Sequence, residues 1–434
     1  MTPDEKKLTE RRVSVVTLGC VKNTADSESL LGQLARGGAR IASDPGEADT
    51  VVINTCGFIE DAKRESLQAI QEAVEKKKRG EIRKIVVMGC LSERYKKELS
   101  AEIPEVDSFF GSDEMGNVLA ALGIDYKKEL LGERLLLTPS HFAYLKISEG
   151  CDNPCSFCAI PLMRGLHHSK PMDRVLAEAQ SLAAGGVREI ILIGQDTTYY
   201  GLDIDGQRRL PVLLEKLHEV EGLDWIRLMY AYPAKFPLEL LDSFSALPKL
   251  CRYIDMPIQH VADPVLRSMR RGISTRALRE LLETVSTRVP NIAIRTTLLV
   301  GYPEESDKDF DLLYDFVREF RFHRLGVFTY SQEDGTAAFD LGDPIPAAVK
   351  AERRNALMEL QKGIARERNE RQVGSRVRVL IDRKEDGMAV GRTEWDAPEI
   401  DQEVFVEPSD RAAVGAFADV EVTDATEYDL YATA

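Results

Sequence analysis

The chain has 434 residues, 44% of them hydrophobic and 30% charged, with a formal net charge of −15. That length buries more than one core, so two or three structural units are expected, and the acidic balance argues against a protein that wraps nucleic acid, which needs a basic footprint to displace counterions from phosphates. No window approaches the ~20 apolar residues of a membrane span, and "MTPDEKKLTERR" has no signal-peptide core, so a cytoplasmic protein is expected.

From Val13 to about Phe110 one unit repeats, a short apolar run followed by a turn and an amphipathic helical stretch. The runs are "VSVVTLGC", "TVVINTCG", "KIVVMGC" and "VDSFFGS". Strand and helix in alternation imply a wound parallel sheet, expected over 11–125. Residues 126–136, "YKKELLGERLL", read as a linker. A second alternating series follows over 137–370, with strands in "FAYLKIS", "REIILIGQD", "WIRLMYAYP", "RYIDMPIQ", "IAIRTTLLVGYP" and "RLGVFTYS". The helix expected over Met172 to Ala184 ends at Gly185 and Gly186, a left-handed stop. Six such units form a partial (β/α) barrel of the TIM type, whose sites lie at the carboxyl ends of the strands. The charged stretch "PAAVKAERRNALMELQKGIARERNERQ" reads as a connecting helix. Over 371–434 short alternating runs, "RVRVLID", "GMAVGRT", "EVFVEP" and "FADVEVTDA", imply a small antiparallel, OB-like barrel. The fold class is thus α/β with a small β-barrel at the end. Seven Lys and Arg oppose fifteen Asp and Glu from Arg371 to Ala434, a balance of −8.

Six of the seven cysteines fall in two triplets, and in a reducing compartment such groups point to metal binding or catalysis rather than disulfides. Cys151, Cys155 and Cys158, in "SEGCDNPCSFCAIP", have CxxxCxxC spacing on a loop after a strand. A closed structural metal site wants four protein ligands; three leave one coordination position free. A zinc knot completed by His167 or His168 is the competing reading, and the CxxCxxC spacing of a bacterial ferredoxin site is not met. This spacing, with Phe157 before the third cysteine, resembles the radical S-adenosylmethionine superfamily. The resemblance implies a four-iron, four-sulfur cluster whose open iron binds S-adenosylmethionine, and a deoxyadenosyl radical able to take hydrogen from an unactivated carbon. It also makes strand ends cofactor-binding candidates: Gly194 and Gln195 in "GQDTT", Gln259 beside His260 in "PIQH", and Gly301 in "GYPEE". A plain helix cap is the competing reading for Asp196 and Thr197.

Cys20, Cys56 and Cys90 lie 36 and 34 residues apart, one strand-plus-helix unit each, and each ends an apolar run. Adjacent parallel strands would bring them to one sheet edge, with Gly19, Gly57 and Gly89 permitting close approach. They read as ligands of a second iron-sulfur cluster, or as three small buried hydrophobes. Cys251 reads as core.

Two three-cysteine sites followed by a small barrel resemble the methylthiotransferases, built of a methylthiotransferase domain, a radical S-adenosylmethionine domain and a TRAM domain. "MRGLHHSKP", "LLVGYPEES" and "YSQEDGTAA" match as well. The resemblance implies two four-iron clusters, one carrying the sulfur to be delivered, S-adenosylmethionine as methyl donor and radical source, an electron donor such as a flavodoxin, and no acid or base residue in catalysis. The family divides between enzymes of a tRNA adenosine and enzymes of an aspartate in ribosomal protein S-twelve of the small subunit. An acidic barrel argues against tRNA and for the basic ribosomal protein. "GRTEWDAPEID" also resembles the aspartate branch, which would yield 3-methylthioaspartate. Trp395, expected on an exposed loop, and Arg164 are the substrate-binding candidates. An electron-transfer protein and a zinc-stabilised scaffold are the alternatives of other classes.

Overall fold

The computed structural model describes residues 12–127 and 133–434. The first sheet has five parallel strands in the order β2-β1-β3-β4-β5, formed by Arg12–Thr17 (β1), Arg40–Ile41 (β2), Thr50–Thr55 (β3), Lys84–Gly89 (β4) and Ser108–Phe109 (β5). β3, "TVVINT", is buried at every position, as a central parallel strand covered on both faces requires. The helices Val21–Arg36, Glu60–Lys78 and Cys90–Glu102 follow β1, β3 and β4.

Six parallel strands make the second sheet: Phe142–Lys146 (β6), then, after the two-residue strands Ser148–Glu149 (β7) and His168–Ser169 (β8), Glu189–Ile193 (β9), Trp225–Leu228 (β10), Leu250–Asp255 (β11), Ala293–Val300 (β12) and Arg324–Thr329 (β13). Their order, β13-β12-β11-β10-β9-β6, is sequential and open, the partial barrel that the alternation implies. Period-two alternation divides its side chains. Leu145, Ile190, Ile226 and Ile254 pack with the helices through Val175, Leu213 and Leu282. Tyr144, Ile191, Trp225 and Tyr253 line the other face, where they meet Ala25 of the first unit and Leu380 and Ala397 of the last. The helix Met172–Ala184 stops as expected, although Gly185 keeps right-handed helical angles and the positive φ, +100°, falls on Gly186.

The last unit is a closed five-stranded barrel, β14-β15-β16-β18-β17, of Arg376–Glu385 (β14), Met388–Arg392 (β15), Val404–Glu407 (β16), Phe417–Ala425 (β17) and Leu430–Thr433 (β18). It departs from the purely antiparallel expectation, because a fifth strand, "LYAT", closes it by pairing parallel with β16. Four residues so close to the chain's end offered no clear run.

The helix Ala347–Glu370 does more than connect. It covers the β13 side, burying Leu357 and Ile364 in the main core, and Gln361 Nε2 donates to Phe322 O at 3.1 Å. The linker expected over 126–136 lies partly outside the described residues. Its described end is packed: Arg134 pairs with Glu178 at 2.9 Å and with Glu28 across the junction of the first two units. No helix among the described residues is long and apolar enough to cross a membrane.

Candidate functional site

Three adjacent strands carry the widely spaced cysteines. β1 and β3 pair Thr17 with Asn54, and β3 and β4 pair Thr55 with Gly89, so Cys20, Cys56 and Cys90 follow neighbouring carboxyl ends of one sheet. Glycine makes the turns tight enough. A Cβ on Gly19, at φ +89°, would lie 2.6 Å from Cys56 Cβ, and only glycine combines that angle with that approach. Cys20 is exposed while Cys56 and Cys90 are buried. Burial raises the Cys56 thiol, with Cys20 adding to the effect. It pushes Cys90 up to about 11 against the pull of Arg164.

The closely spaced triplet lies on the loop between β7 and the short helix Ile160–Arg164. The antiparallel pairs Ser148↔Ser169 and Glu149↔His168 close this loop at its base. Cys151 N donates to Gly165 O at 3.1 Å, and Ser156 donates through N to Met269 O at 3.1 Å and through Oγ to Ser268 O at 2.8 Å. Gly150, at φ +74°, passes so close to the returning chain that a Cβ would lie 2.1 Å from Leu166 O. Cys151, Cys155 and Cys158 are half-buried, and burial pushes Cys151 to about 11 and Cys158 to about 12. Polar donors approach the sulfurs: Arg271 Nη1 stands 3.2 Å from Cys155 Sγ, Tyr232 Oη 3.6 Å from the same sulfur, and Asn153 Nδ2 3.5 Å from Cys151 Sγ. His167 turns Nε2 to Ser169 Oγ at 3.1 Å, and His168 is exposed. Among the described residues no three His, Cys, Asp or Glu side chains are set to hold a single metal ion. Thiolates that each bind a different iron of a cluster stand wider apart than the donors of one ion.

The two triplets are neighbours across the helix Ile160–Arg164. Cys90 packs with Ala159 and Met163 in one buried cluster, and Arg164 Nε donates to Cys90 Sγ at 3.2 Å. The same guanidinium donates through Nη1 to Asp26 Oδ2 at 2.7 Å and Glu149 Oε2 at 3.0 Å, and through Nη2 to Asn23 Oδ1. Lys146 joins Glu149 at 2.7 Å and also Asp26, and Gln195 Nε2 donates to Glu149 Oε1 at 2.7 Å. Burial works to raise the Glu149 carboxyl, but Lys146 and Arg164 outweigh it and hold the group well below the usual glutamate value. Arg164, expected to meet substrate, has a side chain that is 2% exposed, and both its carboxylate partners here belong to the protein.

The other expected residues differ in how free they are. Gly194 brings its backbone against Ser148, where a Cβ would lie 2.5 Å from Ser148 Oγ, and the buried Ser148 Oγ and Gln195 Oε1 have no hydrogen-bond partner among the described residues. Phe157 packs half-buried against the cluster of Met269, Tyr302 and Tyr330. Gln259, at φ +69°, uses its backbone to bridge Thr297 O at 2.9 Å and Leu299 N at 2.8 Å. Gly301 is committed to the protein: its amide donates to Glu305, and Lys350 fills the space a Cβ would take. Asp196 caps the turn at Thr198 N at 3.0 Å, as the cap reading has it, and its second oxygen accepts from Asn153 at 2.9 Å. Trp395 is no exposed anchor; it is half-buried between the barrel core and the inner face of the open sheet. Cys251 is core, 1% exposed.

Two features escaped the sequence reading. Glu333, in "YSQEDGTAA", is buried and bridges Lys63 at 2.8 Å and Arg94 at 2.9 Å, while Arg94 also donates to Gly57 O at 2.9 Å, beside Cys56. Arg271, whose approach to Cys155 is given above, lies in "MRRG", a run that reads as solvated charge.

Models of three families match the chain: the uncharacterized protein family UPF0004 over residues 12–111, the radical SAM superfamily over 145–317 and the TRAM domain over 373–434. Among curated proteins the chain is similar to the ribosomal protein uS12 methylthiotransferases RimO of Flavobacterium johnsoniae (51% identity over 98% of each chain), Cytophaga hutchinsonii (52% over 97% of each) and Chloroherpeton thalassium (50% over 97% of this chain and 98% of the other). Among solved structures it shares the fold of the radical S-adenosylmethionine methyltransferase TsrM from Kitasatospora setae, with a TM-score of 0.56 at 14% identity over 76% of this chain and 77% of that one. The cobalamin-dependent radical enzyme OxsB follows, with a TM-score of 0.53 at 13% identity over 82% and 57%.

Proposed function

Since the chain belongs to the family of the ribosomal protein uS12 methylthiotransferases RimO, it is a radical S-adenosylmethionine methylthiotransferase, and we propose that it places a methylthio group on the β-carbon of an aspartate of uS12, giving 3-methylthioaspartate. The observation that carries this reading is the contact of the two cysteine triplets through the helix Ile160–Arg164. In this reading Cys151, Cys155 and Cys158 hold one four-iron cluster, beside which Gly194 and Gln195 meet S-adenosylmethionine, and Cys20, Cys56 and Cys90 hold a second. Thiol donors, glycines at their turns, and the unpaired Ser148 Oγ and Gln195 Oε1 fit such groups. When bound, these groups supply a carbon-centred radical, the sulfur and the methyl.

The chain's own residues set the conditions. Arg164 beside Cys90 favours thiolate over thiol there, against the burial that raises that thiol, and Arg271 donates to Cys155 Sγ. Asp26, Glu149, Lys146 and Arg164 form an ion network that fixes the junction of the first two units. The division into units at 11–125, 137–370 and 371–434, an external reductant of the flavodoxin type, and work beside ribosomes in the cytoplasm complete the proposal.

The test is the intact mass of uS12 after anaerobic incubation with the reconstituted enzyme, S-adenosylmethionine, sulfide and a reductant. One methylthio group in place of hydrogen, mapped to an aspartate, is the expected result. Formation of 5'-deoxyadenosine with uS12 unchanged would overturn the substrate and leave the radical chemistry standing.

A further inference from the structure

Lys22 is 8% exposed, and its ammonium has no carboxylate, carbonyl or hydroxyl partner among the described residues. Among the described residues it meets the face of Tyr230, whose ring centroid lies 3.0 Å from Nζ. The residue is buried while Nζ itself keeps an opening to solvent, and partial desolvation of an ammonium is costly unless an anion or acceptor meets it; a ring face recovers only part of that cost. The position is informative. Lys22 is two residues past Cys20, in the first turn of Val21–Arg36. Tyr230 follows β10 at the carboxyl end, where sites of this kind of barrel form. Its backbone is held at φ +59°, with Tyr230 N donating to Asp255 Oδ2 at 3.1 Å and Thr197 N donating to Tyr230 O at 3.1 Å. Lys22 thus stands where the first unit meets the mouth of the open barrel.

The neighbouring cations are already engaged: Lys146 and Arg164 with Asp26 and Glu149, and Arg271 with Cys155 Sγ and Pro257 O. We propose that Lys22 binds the side-chain carboxylate of the acceptor aspartate. This rests on the reading that an aspartate of uS12 is the substrate. A reacting β-carbon lies one bond from that carboxylate, so an ammonium held against it fixes the carbon's position and discriminates against a neutral amide. The Tyr230 ring keeps the ammonium in place without neutralising it.

The experiment uses the full-length, cluster-reconstituted enzyme and labelled uS12 in an anaerobic fluorescence-anisotropy titration. A second uS12 has the acceptor aspartate, located by mass mapping of the wild-type product, replaced by Asn. Lys22→Met is expected to weaken binding of natural uS12 roughly ten- to hundredfold, with Lys22→Arg recovering part of the loss. The Asn form of uS12 should bind wild type and Lys22→Met within about twofold of each other. Equal losses for both forms of uS12, or no loss for either, would overturn the proposal. Iron content is measured for each variant, and if Lys22→Met fails to retain iron, Lys22→Gln carries the same comparison. A wild-type enzyme that leaves uS12 unmodified overturns the substrate reading, and this proposal with it.

Discussion

Arg164 uses all three of its guanidinium nitrogens inside the protein: one on a cysteine sulfur, one on two carboxylates and one on an amide oxygen. Removing it leaves Asp26 and Glu149 with Lys146 as their one remaining cation among the described residues. Arg164→Met is therefore expected to destabilise the cluster-free protein by roughly 3–5 kcal/mol, read as a lowered urea midpoint, and Arg164→Lys by less. Arg271 gives a different expectation, since its contacts are a cysteine sulfur, the Pro257 carbonyl and the Tyr232 ring. A hydrogen bond to a cluster sulfur stabilises the reduced cluster. Arg271→Met should move the midpoint of the Cys151 site to a more negative potential in a titration followed by electron paramagnetic resonance, with uS12 affinity unchanged.

The segment from Thr393 to Asp401 leaves the barrel and fills the inner face of the open sheet. Arg227 Nη1 donates to Glu394 O at 2.7 Å, Arg324 Nε to Asp396 Oδ1 at 2.9 Å and Tyr253 Oη to Asp401 Oδ2 at 2.7 Å, while Arg295 pairs with Asp401 at 3.4 Å. Trp395 sits within this plug. Trp395→Ala is expected to cost roughly 3 kcal/mol of stability in a denaturant titration and to leave uS12 affinity unchanged; the reverse pattern would restore its role as a binding anchor. At the opposite edge His323 lies between β12 and the helix Ala347–Glu370, with Arg368 Nη1 3.0 Å from its Nε2. Burial, then Arg368 and Arg324, depress its pKa to about 3, and burial depresses His260 to about 4. Both stay neutral in the native state but take up protons on unfolding below the ordinary value near 6.5. Stability is therefore full above about pH 6.5 and falls as the pH drops toward 4, by about 1.4 kcal/mol per unit for each histidine. His323→Gln should flatten that slope in urea midpoints measured from pH 7 to 5.

Across the whole molecule the acidic balance splits into two populations. Asp382 pairs with Arg392, Asp396 with Arg324, Asp401 with Arg295 and Glu403 with Arg383, so these carboxylates hold the barrel together or dock it rather than reach outward. Glu407, Asp410, Asp419, Glu421 and Asp424 are exposed. Neutralising Glu407, Asp410 and Asp424 together is expected to slow association with a basic protein such as uS12 and to flatten its salt dependence in stopped-flow measurements, with kcat unchanged. The sequence by itself determined the three-part architecture, because period-two and helical runs record which faces are buried one element at a time. It also singled out the two cysteine triplets, because the spacing is local in one and follows the strand-plus-helix repeat in the other. It could not show that Arg164, Lys22 and Glu333 belong to one junction, that "LYAT" closes the barrel, or that Trp395 and its acidic neighbours face inward. Those depend on which surfaces meet between units, and an Arg or Glu that is buried against a distant partner reads, along the chain, like one in water. Only the tertiary structure brings distant opposite charges together, and that pairing decided which charged residues hold the fold.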